Sequence, residues 1–343
     1  MRVLVTGHKG YIGSVLTPML VDDGHEVVGL DVDLYKSCLY GNLPIEYPCL
    51  TKDIRDVEAS DLSGFEAIIH LAGLSNDPLG DLNPDLTYEI NHAASVGLAK
   101  AAKKMGVRRF LFSSSCSNYG SSGADFIDES APFRPVTPYA KSKVMVEADL
   151  AKLADSKFSP IILRNATAYG MSPKLRFDLV LNNLVAWAYT TGSIFLKSDG
   201  TPWRPIVHIE DISCAFIAML NAPLDLVHNQ AFNVGRAEEN YQVYQLAELV
   251  KEVMPDCRIE FADNAGPDKR CYRVDCSKIA STLPEFKPKW NARDGIMELL
   301  SAFKANGLAL DDFEGSRYKR VDHIKQLLQK GRLDTSLRWN ESG

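Results

Sequence analysis

The chain has 343 residues, of which 45% are hydrophobic and 24% are charged, with 23 Gly and 17 Pro. These proportions are typical of globular proteins, and they exclude disordered, collagen-like and low-complexity chains. The formal net charge of -6 argues against nucleic acid or an anionic membrane as the main partner, although a few arginines can still hold a diphosphate inside an acidic protein.

The cysteines and histidines indicate neither disulfides nor a metal site. The seven cysteines are scattered and form no Cys-x-x-Cys pair, a pattern typical of reduced thiols in the cytoplasm. The histidines form no His-x-x-x-His pair, so we expect no metal. We recognise no signal peptide, and no run approaches the roughly 18 apolar residues of a membrane-spanning helix. We therefore predict a cytoplasmic protein without a membrane partner.

The first half of the chain alternates short apolar runs with helical patterns. Helical patterns follow residue 12 and cover about 86–105 and 138–155, and strands are predicted at 2–6, 26–31, 67–72, 109–115 and 160–164. This alternation predicts an α/β fold with a Rossmann-type, doubly wound parallel sheet. After about residue 165 the elements shorten, so we expect a smaller, interleaved C-terminal lobe over the carboxyl edge of the sheet, where such folds bind ligands.

A glycine-rich segment joins the first predicted strand to the first helix. Gly7, Gly10 and Gly13 permit a tight turn and let backbone N–H groups approach a pyrophosphate at the helix N-terminus. Asp31 ends the second strand, where a carboxylate suits the ribose hydroxyls of NAD and repels the additional phosphate of NADP. Lys9 instead favours NADP, because a basic residue in this loop could reach the additional phosphate. The segment predicts a dinucleotide site with NAD preferred over NADP.

Tyr139 and Lys143 are four residues apart at the start of a predicted helix, so their side chains share one face. An ammonium beside a phenol favours the phenolate and lowers the pKa of the tyrosine from about 10. Such a phenol can take a proton from a sugar hydroxyl while a hydride leaves the carbon. Ser115, at the end of a predicted strand, supplies a nearby hydroxyl to share that proton.

These features belong to a larger set of motifs. The chain resembles the extended short-chain dehydrogenase/reductases, and among them the nucleotide-sugar epimerase/dehydratase group, over about residues 1–300. The motifs are VTGHKGYIGS (5–14), LD (30–31), KDIRD (52–56), HLAG (70–73), Asn91, SSSCSNYG (113–120), PYAKSK (138–143), LRNATAYG (163–170), RPIVHIED (204–211), FNVG (232–235) and YRVDCSK (272–278). Together they are highly specific for the family and much less specific for the reaction.

The resemblance implies roles for individual residues toward the cofactor NAD. Tyr139 is implied as the catalytic base, with Ser115 as its hydroxyl partner and Lys143 bonding the nicotinamide ribose. The implied cofactor-binding set is Gly7, Gly10, Tyr11, Ile12 and Gly13 at the pyrophosphate, Asp31 at the adenosine ribose, Asp53 and Ile54 at the adenine, and Leu71, Ala72, Gly73, Asn91, Ser113, Tyr139 and Lys143 toward the nicotinamide.

The resemblance also implies a site for a nucleoside diphosphate sugar. Arg204 and Arg270 match positions that hold its diphosphate, and guanidinium groups pair with phosphate oxygens in a bidentate manner. Asn183 lies in a segment similar to the substrate-contacting Asn-Asn-Leu of UDP-galactose 4-epimerases. The other candidate substrate-binding residues are Ser75, Cys116, Ser117 and Asn165, with Asn76 and Asp77 beside Ser75. The alternatives are a surface salt bridge for each arginine, a buried small residue for Cys116 and a loop cap for Asp77.

Two departures from the family pattern bear on the reaction. Where 4,6-dehydratases carry Asp-Glu after the catalytic hydroxyl residue, this chain has Cys116 and Ser117. Removal of water from a hexose needs an acid and a base there, so the difference argues against ordinary dehydration. The family's frequent Asn in the segment 163–170 is Thr167 here, with Asn165 two positions earlier, which indicates a rearranged substrate pocket.

The leading hypothesis is a NAD-dependent nucleotide-sugar epimerase that works through a transient keto sugar. The alternatives are a nucleotide-keto-sugar reductase using NAD(P)H, an atypical dehydratase or decarboxylase, and a catalytically silent NAD-binding regulator.

The resemblance predicts an oligomeric state, and the sequence pattern predicts how the chain is divided. We expect a homodimer that pairs through the helix after Asn91 and the helix carrying Tyr139. The charged tail is expected to dock through a helix at about 316–331. The expected regions are an NAD-binding domain from 1–165 with about 206–235, a nucleotide-sugar-binding lobe from about 166–205 with 236–310, and this tail at 311–343.

Overall fold

A seven-stranded sheet lies at the centre of the structure, a computed structural model that describes residues 1–42, 45–75, 77–266 and 270–340, with the backbone alone for residues 77, 79, 124, 264 and 265. All of its strands run parallel to their neighbours. From one edge to the other they are β3 (Cys49–Leu50), β2 (Glu26–Leu30), β1 (Arg2–Thr6), β4 (Ala67–His70), β5 (Arg109–Ser115), β7 (Ser159–Asn165) and β11 (Gln230–Val234). This confirms the predicted doubly wound α/β fold.

Helices cover both faces of this sheet. The longer ones are α1 (Gly13–Asp22), α4 (Ser95–Lys104), α5 (Pro138–Leu153), α6 (Val180–Thr191), α7 (Ile209–Asn221), α9 (Val243–Val253), α11 (Ala292–Asn306) and α13 (Arg320–Gln329). The shorter ones are α2 (Asp77–Leu82), α3 (Pro84–Tyr88), α8 (Leu224–Val227), α10 (Ser277–Thr282) and α12 (Leu310–Phe313). The apolar residues of α1 and α7 share one core with one sheet face, while those of α4 and α5 share another core with the opposite face. Burial on both faces explains why the strands are almost continuously apolar.

The strand order reverses at β1, because β2 lies on one side of it and β4 on the other. Ligands of open α/β sheets bind in the crevice that this reversal leaves at the carboxyl ends of the strands. The segments that follow β1, β2, β4 and β5 therefore converge on one edge. These are the segments in which the sequence motifs lie.

Smaller sheets lie over that edge. The three-stranded one contains β8 (Thr167–Tyr169), β10 (Trp203–His208) and β12 (Asn240–Gln242), and the two-stranded ones pair β9 (Ser193–Ser198) with β13 (Arg258–Gly266) and β6 (Ser121–Ile127) with β14 (Cys271–Val274). A third core combines apolar residues of α6, α9 and α11. The chain leaves the large sheet after β7, returns for α7 and β11, and then leaves it again.

The structure refines two of the predicted helices. The helical pattern at 86–105 is divided into α3, a π-helical segment (Glu89–Ala94) and α4. The tail helix α13 is shorter than predicted and docks through Ile324, which is fully buried in the same core as the apolar residues of α4 and α5. Within the residues that the structure describes, no helix is both long and apolar enough to cross a bilayer. Pairing of two chains through α4 and α5 stays a prediction.

Candidate active site

A large cavity lies above the carboxyl ends of β1, β4 and β5, between the sheet and the smaller lobe. Its volume is about 950 Å³. Most residues that the sequence analysis assigned to a site line it, namely Gly7, Gly10, Tyr11, Ile12, Gly13, Asp31, Asp53, Ile54, Leu71, Ala72, Gly73, Ser75, Ser113, Ser115, Ser117, Tyr139, Lys143, Asn165, Asn183, Arg204 and Arg270. The residues assigned to cofactor, catalysis and substrate therefore share one enclosed space.

The glycine-rich loop forms the floor of the cavity at the start of α1. Gly7 has a φ of +74°, and a Cβ added to it would lie 2.8 Å from the backbone N of Ala72. A Cβ at Gly13 would lie 2.3 Å from the carbonyl oxygen of Gly7. Within the described chain no side chain caps the N-terminus of α1, so its partial positive charge is left for an anion. The loop therefore fits a dinucleotide pyrophosphate.

Asp31 lies beside this loop, directly after β2. Its carboxylate accepts hydrogen bonds from the backbone N–H of Lys9 at 3.0 Å and of Asp33 at 2.8 Å. Burial raises the pKa of Asp31, and these bonds together with His8 oppose that increase. A carboxylate fixed in this way, with its side chain 14% exposed, can accept hydrogen bonds from the two hydroxyls of a ribose.

The ammonium of Lys9 is engaged away from that position. Its Nζ lies 3.6 Å from Asp33 Oδ2 and 3.5 Å from Glu46 Oε2. Two carboxylates therefore offset the charge of Lys9, the basic residue that the sequence suggested for a ribose phosphate. The arrangement around Asp31 and Lys9 favours NAD over NADP.

A short 3₁₀ turn (Ile54–Asp56) begins with Ile54 and directly follows Asp53, the two residues that are predicted to lie at the adenine. Asp53 caps this turn by accepting from the backbone N–H of Arg55 at 2.9 Å, and it also forms an ion pair with the Arg55 guanidinium at 2.7 Å. Most of its hydrogen-bonding capacity is therefore used within the turn. Ile54 is buried and supplies an apolar wall.

Asn91 does not line the cavity but holds a segment that does. Its amide accepts from the backbone N–H of Leu74 at 2.7 Å and donates to the carbonyl of Leu74 at 3.0 Å. A Cβ at Gly73, whose φ is +156°, would lie 2.9 Å from Asn91 Oδ1. The structure thus gives Asn91 a supporting position behind the loop after β4, in place of the expected contact with the cofactor.

Tyr139 and Lys143 lie on the first turns of α5 and face the cavity. The helix begins after Thr137, whose hydroxyl accepts from the N–H of Ala140, with Pro138 in its first turn. Lys143 Nζ donates to the carbonyl of Ser113 at 2.7 Å and lies 5.7 Å from the centre of the Tyr139 ring. The i, i+4 spacing therefore brings the ammonium next to the phenol, as predicted from the sequence.

The end of β5 presents serines to the same space. Ser115 Oγ accepts from the backbone N–H of Ser117 at 3.1 Å, which leaves its own proton to be donated. Ser113 Oγ accepts from the Asn165 amide at 3.2 Å. These bonds pair Ser115 with Ser117 and Ser113 with Asn165, and all four residues line the cavity, as Tyr139 does.

Burial controls the protonation of two groups here. It lowers the pKa of Lys143 to about 8, although Glu147 opposes this effect. His70, which is fully buried at the end of β4, has its pKa lowered to about 3 by burial and by Lys143. Its ring nitrogens are bonded to the hydroxyls of Thr6 at 2.6 Å and Ser95 at 2.7 Å. His70 is therefore neutral and structural, and Lys143 is the titratable cation of the site.

A buried polar network that the sequence analysis did not identify lies beneath these groups. Glu147, one helical turn after Lys143, forms an ion pair with Arg164 of β7 at 2.7 Å. It also accepts from the Ser114 hydroxyl and from the Asn118 amide at 2.9 Å. The network ties α5 to β5 and β7. The recognisable signal was Glu147 itself, a carboxylate four residues after Lys143 on the same helical face.

Other predicted substrate residues line the same cavity. Arg204 on β10 is buried, and its Nη1 donates to the carbonyl of Trp203 at 2.8 Å and to that of Arg270. Asn183 on α6 donates to the carbonyl of Phe177 at 2.8 Å. Ser75 accepts from the Arg176 guanidinium at 3.3 Å. Arg204 and Arg270 thus lie together at one end, which fits a role as a pair.

Cys116 lies away from the cavity. It is 1% exposed, and its thiol donates to the carbonyl of Arg164 at 3.1 Å. Burial raises its pKa well above the ordinary value. The structure therefore does not bring Cys116 to the cavity with the other predicted substrate residues, because the 3₁₀ turn after Ser115 directs its side chain into the core. Asn76 lies outside the described residues, as does the side chain of Asp77.

Further cavity-lining residues were not anticipated. They come from the segment before α6 and from the C-terminal tail, and they include Arg176, Asp178, Phe313, Tyr318, Arg320 and Leu337. The family motifs end before residue 300, so the sequence gave no reason to place the tail at the site.

The comparisons with known proteins agree with this geometry. A family model described as the NAD dependent epimerase/dehydratase family matches residues 3–235. The chain belongs to this family. Its NAD dependence confirms the cofactor predicted from the glycine loop and Asp31, and it confirms the resemblance found in the motifs.

Individual relatives differ in the reaction that they catalyse. The UDP-glucose 4-epimerase of Bacillus subtilis (strain 168) is 29% identical over 327 residues, covering 87% of this chain and 94% of the relative. The structure of TunA, a NAD-dependent NDP-hexosamine 5,6-dehydratase involved in tunicamycin biosynthesis, is 25% identical with a TM-score of 0.79, covering 91% of this chain and 99% of TunA. MoeE5 in complex with UDP-glucose and NAD is 26% identical with a TM-score of 0.75, covering 89% and 99%.

The surroundings of Asp31 and Lys9 predict which residue sets the choice of dinucleotide. Replacing Asp31 with Asn removes the charge that repels a 2′-phosphate, so the preference for NADH over NADPH should fall about tenfold or more, a change of roughly 1.4 kcal/mol. Lys9→Met is the control, because Lys9 is already paired with Asp33 and Glu46, and it should alter neither affinity more than about twofold. Fluorescence titrations with both reduced dinucleotides measure this. A selective loss of NADPH affinity in Lys9→Met would show that Lys9 meets the phosphate.

The lowered pKa of Lys143 predicts a dependence of stability on pH. Below about pH 8 the ammonium is charged in the folded and unfolded chain, and the folded chain carries the full desolvation penalty. Near pH 10 much of that penalty is gone, because the buried amine is already neutral. Lys143→Met should therefore gain stability relative to wild type, by up to about 3 kcal/mol, as the pH falls from about 10 to about 7.

Urea unfolding of the cofactor-free chains across this pH range provides the measurement. Lys141→Met, at an exposed position on the same helix, is the matched control and should track wild type. A constant difference between Lys143→Met and wild type at every pH would contradict the burial argument.

Proposed function

We propose that the protein is a NAD-dependent epimerase that inverts C4 of the hexosyl group of a UDP-sugar. The observation that carries this proposal is the position of Tyr139 and Lys143 on one turn of α5, in the cavity that also contains the glycine loop and Asp31. The 4-epimerase activity named for the Bacillus subtilis relative supports the choice of reaction.

Tyr139 is the proposed catalytic base. The Lys143 ammonium, held 5.7 Å from the ring centre by its bond to the Ser113 carbonyl, stabilises the phenolate over the phenol. The phenolate then takes the proton of the C4 hydroxyl, and Ser115 donates a hydrogen bond to the same sugar oxygen. Oxidation of C4 to a ketone needs this proton transfer together with the loss of a hydride.

NAD, when bound, supplies the acceptor and later the donor of that hydride. The chain's part is to hold the nicotinamide ribose with Lys143 and the adenosine ribose with Asp31. After the keto sugar presents its other face, Tyr139 returns its proton to the oxygen, and the product differs from the substrate only at C4. The net redox change is zero, so the dinucleotide has no need to leave between turnovers.

Substrate retention is assigned to the far end of the cavity. Arg204 and Arg270 are proposed to hold the diphosphate, because guanidinium groups match phosphate oxygens in charge and geometry. Asn183 and Ser75 line the space between this pair and Tyr139. Anchoring through the diphosphate would leave the hexosyl group free to turn over while the nucleotide stays in place.

The alternatives of dehydration and net reduction have less support. Dehydration needs an acid and a base beside the sugar. The Cys116 thiol faces the core and donates a hydrogen bond to the Arg164 carbonyl, and burial raises its pKa. A reductase using NADPH needs a cation at the ribose phosphate, and Lys9 is paired with two carboxylates.

The proposal predicts the behaviour of Tyr139→Phe. Without the phenol, the conversion of UDP-glucose to UDP-galactose should fall about 10²- to 10⁴-fold, the usual contribution of a positioned acid–base group. The affinities for NADH and UDP should stay within about threefold of wild type, because both ligands are held elsewhere. Tyr244→Phe, a half-exposed tyrosine on α9, is the matched control and should retain full activity.

The measurement is chromatography of the sugar nucleotides with mass detection. A product lighter by one water would identify a dehydratase, and consumption of one NADH or NADPH per product would identify a reductase. Activity of Tyr139→Phe within tenfold of wild type would remove Tyr139 from the mechanism.

A further inference from the structure

Arg320, the first residue of α13, is a buried cation at the cavity wall. Its side chain is 8% exposed and lines the cavity. Its Nη2 donates to the carbonyl of Lys174 at 3.3 Å, and its guanidinium lies 4.3 Å from the centre of the Tyr35 ring. No carboxylate among the described residues lies within 4.0 Å of it.

Two further cations lie near Arg320, and each of them is paired with a carboxylate of its own. Arg176 is also buried and lines the same cavity, and its guanidinium is paired with Asp178 at 2.6 Å. Lys174 is paired with Asp33 at 3.2 Å. Burial and the nearby Arg176 lower the pKa of Arg320, whereas Tyr35 and the more distant Asp178 oppose this effect. Because a buried charge without a counter-ion is costly, the group is suited to a ligand that brings negative charge into this part of the cavity.

The position of Arg320 along the cavity indicates which anion that is. Tyr35, over which it lies, is close in the chain to Asp31. Asn182 donates to the carbonyl of the neighbouring Arg176 at 2.9 Å and to the hydroxyl of Tyr11, in the glycine loop, at 3.2 Å. Arg320 therefore lies over the segment that follows Asp31, and its neighbour Arg176 is connected through Asn182 to Tyr11 of the glycine loop. The pyrophosphate of a dinucleotide lies between these two points.

We propose that Arg320 is a cofactor-binding residue whose guanidinium pairs with the pyrophosphate of NAD. The assignment rests on the proposed function in taking NAD as the resident dinucleotide. It makes the C-terminal tail part of the cofactor site. The glycine loop supplies backbone N–H groups to the pyrophosphate, and the tail supplies the charge.

The tail is held in place for this role. Trp339 Nε1 donates to the carbonyl of Val32 at 2.7 Å, and the Tyr318 hydroxyl donates to the carbonyl of Leu39 at 3.0 Å. His323 Nε2 lies 3.2 Å from the carbonyl of Leu34. The tail therefore bonds along the segment that follows Asp31, and these contacts anchor the backbone that carries Arg320 beside the cavity. Such a clamp suits an enzyme that keeps its dinucleotide through each turnover.

A sugar nucleotide carries the same diphosphate chemistry, so the test must separate the two ligands. Arg204 and Arg270 lie at the other end of the cavity, on or close to strands of the smaller lobe. We assign that pair to the substrate and Arg320 to the cofactor. Titrations with NADH and with UDP, each followed separately, distinguish the two sources.

The experiment compares Arg320→Gln with Arg317→Gln. Arg317 is an exposed arginine in the same tail that also donates to the carbonyl of Leu39, and it does not line the cavity. Dissociation constants for NADH come from fluorescence, those for UDP from calorimetry, and the fraction of dinucleotide retained comes from the absorbance of denatured, purified protein. Arg320→Lys tests whether charge alone is enough.

The proposal predicts at least a tenfold weaker affinity for NADH in Arg320→Gln, the loss expected for one charge-assisted hydrogen bond to phosphate. The variant should also retain less dinucleotide. Its UDP affinity should be unchanged, and Arg320→Lys should be intermediate. The cofactor-free melting temperature should be equal to or above that of wild type, because an uncompensated buried charge has been removed. Arg317→Gln should match wild type throughout.

Several results would overturn the assignment. An NADH affinity within twofold of wild type in Arg320→Gln would do so, as would a selective loss of UDP affinity, which would assign the residue to the substrate. A cofactor-free melting temperature several degrees below wild type would show that Arg320 supports the fold itself. A wild-type chain that binds neither NAD nor NADH would contradict the proposed function together with this assignment, whereas an active, NAD-binding wild type with an unaffected variant contradicts this assignment alone.

Discussion

The hydrogen bond from the Lys143 ammonium to the Ser113 carbonyl is the contact on which the rest of the site depends. It joins the helix that carries Tyr139 to the strand that carries Ser115, and it keeps a cation beside a phenol in a buried place. A buried ammonium without an anionic neighbour would destabilise the folded protein. Glu147 offsets part of that penalty one turn later, and the ion pair between Glu147 and Arg164 secures the carboxylate from the neighbouring strand. The chemistry of Tyr139 and Lys143 therefore depends on the polar network that lies beneath them.

Charge is distributed along the cavity in the order that the two proposed ligands require. Asp31 stands at the ribose end, where Lys9 is neutralised by other carboxylates. The uncapped start of α1 and Arg320 face the middle, and Arg204 lies at the far end. A dinucleotide and a sugar nucleotide placed end to end would each find a positive group at its diphosphate. The C-terminal tail is thus a part of the proposed cofactor site, although the sequence of the tail alone predicted only a docked, charged helix.

Much of the fold and of the cofactor site could be predicted because the signals are local. The glycine loop, Asp31 and the Tyr139–Lys143 pair each depend on short spacings within one strand, turn or helix, and the structure brings them together. Cys116, Asn91 and Arg320 depend instead on contacts between distant parts of the chain. The Cys116 thiol donates a hydrogen bond to the Arg164 carbonyl, and the Asn91 side chain accepts one from the backbone of Leu74 in the loop after β4. Arg320 reaches the cavity because the tail crosses to Tyr35. Local periodicity carries no information about such contacts.

The central claim is that hydride is removed from C4 of the sugar and returned to it without leaving the active site. The most direct test is to convert UDP-glucose deuterated at C4 with the protein as purified and to measure the mass of the UDP-galactose formed. The account predicts a product that retains the deuterium, with no label in water and none in NAD added to the solution. Loss of the label to either pool, or a product of different composition, would contradict it.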